Sequence, residues 1–234
     1  MRLVGTDDRV RYYETVWGAS PGVSPSATHL TATANAYDAV AVQYAELVHG
    51  VLATMPLDRA FLDAFADTVL ANGAGKVAEL GCGPGYVAAH LADRGLDVFG
   101  VDLSPTMVDI ARATYPGVRF DVGSMDALDL PAGALGGIVC WYSTIHAPPA
   151  VLPSYLAEFR RLLTPGGHLA LAFFESEGGP LASFDHKVVE AYRWPVDEVA
   201  GLAGEAGFVE VGRMLREPVE DERFRRGHLL LRRH

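Results

Sequence analysis

Apolar positions change period repeatedly along this chain, and each change marks a predicted element. From Asn35 to Gly50 they recur at helical steps, with Tyr37, Val40, Ala41, Tyr44 and Leu47 on one face. Leu57, Phe61, Phe65 and Val69 repeat at steps of four and predict a second helix that stops at Asn72-Gly73. The run Val77-Ala78-Glu79-Leu80 is too short for a helix and is bounded by glycines, which predicts a buried strand. Gly81, Gly83 and Gly85 follow it, and then a helical pattern on Val87, Ala88 and Leu91 that ends at Gly95.

The same unit repeats downstream. A second strand, Val98-Phe99-Gly100-Val101, ends in Asp102, and Ser104-Pro105 caps a helix with Met107, Ile110 and Ala111 turned inward. Val118 to Val122 and Gly136 to Cys140 read as the third and fourth strands. A helix with Leu152, Leu156, Phe159 and Leu163 on one face then ends at Thr164-Pro165-Gly166-Gly167, before a fifth strand from His168 to Phe174. Val199 to Ala206 is the last helix, and Val209–Leu215 with Gly227–Leu231 reads as an antiparallel terminal pair. Alternating strands and helices predict an α/β fold with a mostly parallel sheet. Two stretches escape the periods. Residues 1–34 read as an N-terminal extension, either a disordered leader or an arm over the substrate, and 175–195 as an inserted hairpin or lid.

Composition narrows the classes. At 234 residues, half of them hydrophobic, the chain suits one domain, here 35–234, with an appendage. No run reaches the ~18 apolar residues of a membrane span, and no basic start precedes an apolar block, so a cytoplasmic protein without contact to membrane is expected. Lys and Arg number 19 against 29 Asp and Glu, and the net charge of −10 opposes binding to nucleic acid. Two cysteines, Cys82 and Cys140, make no disulfide framework.

The glycine loop carries the chemistry. Without Cβ atoms its backbone lets a ligand approach closely, and the helix behind it presents unpaired N–H groups. The dinucleotide fingerprint needs its third glycine one residue later than Gly85, where Tyr86 stands. Parallel strands lie about 4.8 Å apart, so Asp102 at its strand end sits beside the loop. A carboxylate there accepts two hydrogen bonds from a ribose diol. A nucleoside ligand is implied.

Val77 to Gly85 resembles the first motif of the class I S-adenosylmethionine-dependent methyltransferases, hydrophobic-x-Glu/Asp-x-Gly-x-Gly-x-Gly. Gly100-Val101-Asp102-Leu103-Ser104 resembles their ribose-binding strand end. The resemblance covers roughly 35–234. It implies a Rossmann-like three-layer sandwich, with a seven-stranded, mostly parallel sheet and an antiparallel C-terminal strand. It also implies S-adenosylmethionine as cofactor, S-adenosylhomocysteine as product and no metal. Gly81, Cys82, Gly83 and Gly85, with Glu79, are then expected at the methionine half, and Asp102 and Leu103 at the ribose. Met107 on the adenine ring competes with core packing. The loop Gly123 to Pro131 resembles the family's adenine-contacting motif, which brings in Ser124, Met125 and Asp126. Tyr37 and Tyr44 match tyrosines of the family's N-terminal helix, although an aromatic stripe at this spacing also serves a core.

Trp141-Tyr142-Ser143-Thr144-Ile145-His146 ends the fourth strand, where open sheets bind ligands. Trp141 is expected at the cofactor, Tyr142 and His146 at the chemistry, with His146 as general base or as a core histidine. Phe174, His186, Tyr192 and Arg193 are the further substrate-pocket candidates. The function implied is methyl transfer to an oxygen or nitrogen of a small organic acceptor. A non-catalytic S-adenosylmethionine-binding module and a nicotinamide-dependent oxidoreductase remain as alternatives. Monomer and homodimer are equally compatible with the sequence.

Overall fold

Helices α1 (Pro25–Val48), α2 (Val51–Thr54) and α3 (Pro56–Ala71) precede β1 (Val77–Leu80), α4 (Tyr86–Asp93), β2 (Val98–Asp102), α5 (Pro105–Thr114) and β3 (Arg119–Val122). Then come β4 (Leu135–Trp141), a 3₁₀ turn (Thr144–His146), α6 (Leu152–Leu162), β5 (Leu163–Glu175), β6 (Ala182–Phe184) and β7 (Ala191–Trp194). The chain closes with α7 (Val196–Glu205), β8 (Phe208–Arg216) and β9 (Arg226–Arg233). This is a computed structural model, and it describes residues 25–73, 75–220 and 222–234. Most of the expected N-terminal extension, residues 1–24, lies outside the described residues. Helix α1 begins at Pro25 rather than near Asn35, because Ser26 to Ala34 carry no period that would announce it.

The short apolar runs pair in parallel in the order β3-β2-β1-β4-β5. Both faces of this sheet are covered, which is why β1 and β4 read as nearly unbroken apolar runs. Along β5 the strand period deals side chains to two core layers. Leu169, Leu171 and Phe173 pack with α6 and α7, while Ala170 and Ala172 pack with α3 and α4. On the far edge β9 runs antiparallel to β5 from His168↔Arg232 to Phe174↔Arg226, and β8 pairs with β9.

Among the described residues the sheet has nine strands and not seven. β6 and β7 form a hairpin, and β7 pairs in parallel with β5 at Phe174↔Arg193 and Glu175↔Trp194. That edge of β5 is free there because β4 has stopped at Trp141. The insertion thus joins the sheet directly above the end of β4.

Two local devices shape the carboxyl edge. Gly81 sits at φ +74°, and a Cβ on it would lie 2.3 Å from Ser143 Cβ, so only glycine fits. Ser104 caps α5 by accepting from the Met107 N–H at 3.1 Å. Its hydroxyl donates to Asp38 of α1 at 2.6 Å, and the Thr106 N–H donates to the same carboxylate oxygen at 3.0 Å. Helix α1 is thereby pinned over the ends of β1 and β2.

Candidate functional site

A cleft with about 600 Å³ of space between atoms, part of it open to solvent, lies above the carboxyl ends of β1, β2 and β4. Gly81 and Gly83 form its floor, Asp102 and Leu103 one wall, and Trp141, Tyr142 and His146 another. Thr33, Ala34, Tyr37 and Tyr44 of α1 cover it, and Gly123 and Met125 close the side beyond β3. Ten of the expected site residues therefore meet in one cavity.

Asp102 organises the floor. Its Oδ2 accepts the Gly83 N–H at 2.7 Å and its Oδ1 the Ser104 N–H at 2.9 Å. A carboxylate has about four lone-pair sites, so these donors leave it capacity for a sugar hydroxyl. Burial raises its pKa, and the backbone donors at Ser104, Gly83 and Leu103 oppose that. Glu79 is buried outside the cleft lining and accepts the Ala88 N–H of α4 at 2.7 Å. Burial pushes its pKa well up.

On the opposite side His146 is 7% exposed and held at both nitrogens. Nδ1 lies 2.9 Å from the Glu190 carbonyl, which can only accept, so Nδ1 carries the proton. Nε2 then accepts the Tyr37 hydroxyl at 2.8 Å. Desolvation lowers the pKa of His146 to about 4, leaving the ring neutral at neutral pH. Burial likewise raises the Tyr37 phenol well above its ordinary range, with the phenol of Tyr44 and the carboxylate of Asp102 adding to the shift. Tyr142 stands at φ +53°, a rare conformation for a bulky side chain, while its N–H donates to the Ala172 carbonyl at 3.0 Å. Its phenol lies 3.2 Å from Nε2 of His228 on β9, a fully buried ring whose pKa burial lowers to about 3.

The remaining expected residues stand behind the cavity surface. Cys82 is buried, and a Cβ on Gly100 would lie 2.8 Å from its sulfur; both Cys82 and Cys140 are free thiols. Gly85 is the left-handed residue that starts α4. Met107 is buried in α5, and Ser124 donates to Asp126 in the loop after β3. Phe174 stacks on Tyr142 at 5.6 Å, and His186 meets His146 at 5.1 Å. Tyr192 donates to Glu190 at 3.2 Å, and Arg193 lies over Phe224.

Residues 77–167 match the methyltransferase domain family. The chain is 32% identical over 152 residues to a demethylmenaquinone methyltransferase of Beutenbergia cavernae, covering 65% of this chain and 61% of that protein. It is 34% identical over 160 residues to an S-adenosyl-L-methionine-dependent Diels-Alderase of Talaromyces variabilis, covering 58% and 53%. The chain thus spans less than two thirds of the length of either relative. Among solved structures, the 1,6-didemethyltoxoflavin-N1-methyltransferase of Burkholderia thailandensis, with 1,6-didemethyltoxoflavin and S-adenosylhomocysteine bound, superposes with a TM-score of 0.64 at 23% identity, covering 92% of each chain. Residues 77–167 of this chain are thus similar to a methyltransferase domain, and the fold around them is the one such enzymes share.

The cavity fits S-adenosylmethionine, the cofactor of the enzymes this chain resembles: the acceptor capacity left on Asp102 lies in the same cleft as glycine backbone and apolar Met125 and Leu103. Thr33 and Ala34 line the cleft without having been expected. For Thr33 a signal existed, because Thr33, Tyr37 and Tyr44 share one helical face. For His228 there was none, since only the β5–β9 register brings it to Tyr142.

Proposed function

We propose that this protein transfers a methyl group from S-adenosylmethionine to an oxygen or nitrogen of a small organic molecule entering on the Tyr142–His146 side. The observation that carries this reading is the division of one cleft between Asp102 with the glycine floor and a neutral, doubly held His146. The cofactor supplies an already electrophilic methyl, so positioning and exclusion of water account for most of the rate. Gly81 and Gly83 admit the methionine part, Asp102 accepts from the ribose, and Leu103 and Met125 pack on the adenine. Tyr37 and Tyr44 of α1 and the β6–β7 hairpin close over the acceptor and keep water out.

The proton of the acceptor atom leaves through Tyr37 and His146. As the new bond forms, that hydrogen becomes strongly acidic and passes to Tyr37 Oη while the Tyr37 proton moves to His146 Nε2. Burial weakens His146 as a base, yet a base near pKa 4 suffices for so acidic a donor. The Glu190 carbonyl then stabilises the imidazolium through Nδ1–H.

A second reading rests on the Diels-Alderase relative: a cyclisation in the same cleft that leaves the cofactor unconsumed. Incubation of the protein and S-adenosylmethionine with metabolite extracts separates the two. Methyl transfer yields S-adenosylhomocysteine together with a metabolite heavier by one methylene. Tight binding of S-adenosylmethionine with no such product from any extract would refute it, and binding of NADH in its place would point to an oxidoreductase.

A further inference from the structure

Behind Tyr142 and His146 stands a cluster for which the transfer step has no use. Phe174, at the end of β5, packs edge-on against Phe184 of β6 at 5.2 Å, and Phe184 against Phe224, between β8 and β9, at 4.9 Å. Three guanidinium groups lie on these rings. Arg226 is 4.3 Å from the Phe174 centroid and 5.4 Å from that of Tyr142, while Arg193 and Arg223 stand 4.3 and 4.9 Å from Phe224.

Stacking satisfies the face of a guanidinium and leaves its in-plane N–H donors available. Arg226 uses Nε and Nη2 on Glu222, and its Nη1 is buried without an acceptor. Nε of Arg193 and Nδ1 of His186 are buried and unpartnered as well. Of the neighbouring carboxylates, Glu222 is shared with Arg216, Asp58 also takes Arg216, and Glu175 faces Arg225. Arg193 has no ion pair among the described residues. Buried polar atoms without partners are unfavourable, and here three of them, two of them guanidinium donors, surround one aromatic surface.

We propose that this cluster recognises the acceptor, and that the acceptor is a flat conjugated molecule carrying an ionised oxygen, a carboxylate or phenolate, held by Arg226 and Arg193. The proposal rests on the methyltransferase reading of the cleft. The rings receive the conjugated body and the spare N–H donors the charge, through charge-assisted bonds that a neutral analogue forgoes. A chain of net charge −10 repels anions elsewhere, which sharpens the preference for this one place.

Naphthoate and naphthamide share their rings and differ in charge, so they serve as probes in titration calorimetry with protein saturated with S-adenosylhomocysteine. Naphthoate is expected to bind at least about tenfold more tightly than naphthamide. Arg226→Gln and Arg193→Gln should each bring naphthoate toward the naphthamide affinity with S-adenosylhomocysteine binding unchanged. Arg226→Lys preserves the charge facing Glu222 and guards against a folding defect, and it should show the same loss. Equal affinities for the two probes in the wild-type protein, or wild-type naphthoate binding in the Arg193 and Arg226 variants, would overturn the proposal. S-adenosylhomocysteine is titrated separately, and its failure to bind would instead overturn the reading of the cleft.

Discussion

His146 gives the most quantitative handle on this site. Its ordinary pKa of 6.5 falls to about 4 in the fold, first through burial and then through the nearby rings of His186 and His29, opposed by the Glu190 carbonyl. A depressed histidine binds its proton more readily in the unfolded chain, so stability is complete above pH 6.5 and is lost as pH falls toward 4. At about 1.4 kcal/mol per pH unit the full loss is ~3 kcal/mol, of which about 2 kcal/mol is gone by roughly pH 5. His146→Gln supplies an acceptor for Tyr37 and a donor for Glu190 and does not titrate. Urea unfolding followed by tryptophan fluorescence at neutral pH and near pH 5 should show the variant losing about 2 kcal/mol less than wild type over that interval. The same variant should slow turnover while leaving cofactor affinity nearly unchanged. Parallel loss of stability in both proteins would show that His146 is not held neutral by burial, and the proton route through Tyr37 would fall with it.

Three further outcomes follow from packing and hydrogen bonds. Asp102→Ala deprives the Gly83 and Ser104 N–H groups of their acceptor and removes the ribose partner, and calorimetry should show S-adenosylhomocysteine binding weakened at least about 100-fold. Gly81→Ala places a Cβ against Ser143 at positive φ, and it should destabilise the fold by about 2 kcal/mol or more in chemical denaturation. Asp58→Ala leaves buried Arg216 with Glu222 as its one carboxylate partner, and a loss of about 3–5 kcal/mol should lower the melting temperature by roughly 10 °C in calorimetry.

What the sequence shows of this fold is what local chemistry decides. The loop at Gly81 to Gly85 is legible because positive φ and close approach demand glycine, and β1 and β4 because each buries two faces. Strands β6 and β7 have three and four residues, too few for a period, and they exist because β5 outruns β4. The spacing of Thr33 with Tyr37 is helical, yet the Ser-, Thr- and Ala-rich composition around it hides an element that tertiary contacts secure through His29 to Tyr155 at 3.0 Å. Arg226, Phe224 and His228 escape sequence reasoning for another reason. Their place beside Tyr142 and Phe174 depends on an antiparallel register between segments far apart in the chain.

Tyr37 belongs to α1, His146 to the turn after β4, and Glu190 to the loop that leads into β7. One imidazole is therefore the shared support of two covers. Withdrawal of α1 would leave Nε2 without its donor, and withdrawal of the hairpin would leave Nδ1–H without its acceptor. Each loss is of the order of 1–3 kcal/mol for a buried polar atom. Once one cover has lifted and water has reached the ring, the second is correspondingly easier to lift, so the two movements are thermodynamically coupled. Entry to the cleft would then be one cooperative opening, with its midpoint set by the histidine that both covers hold.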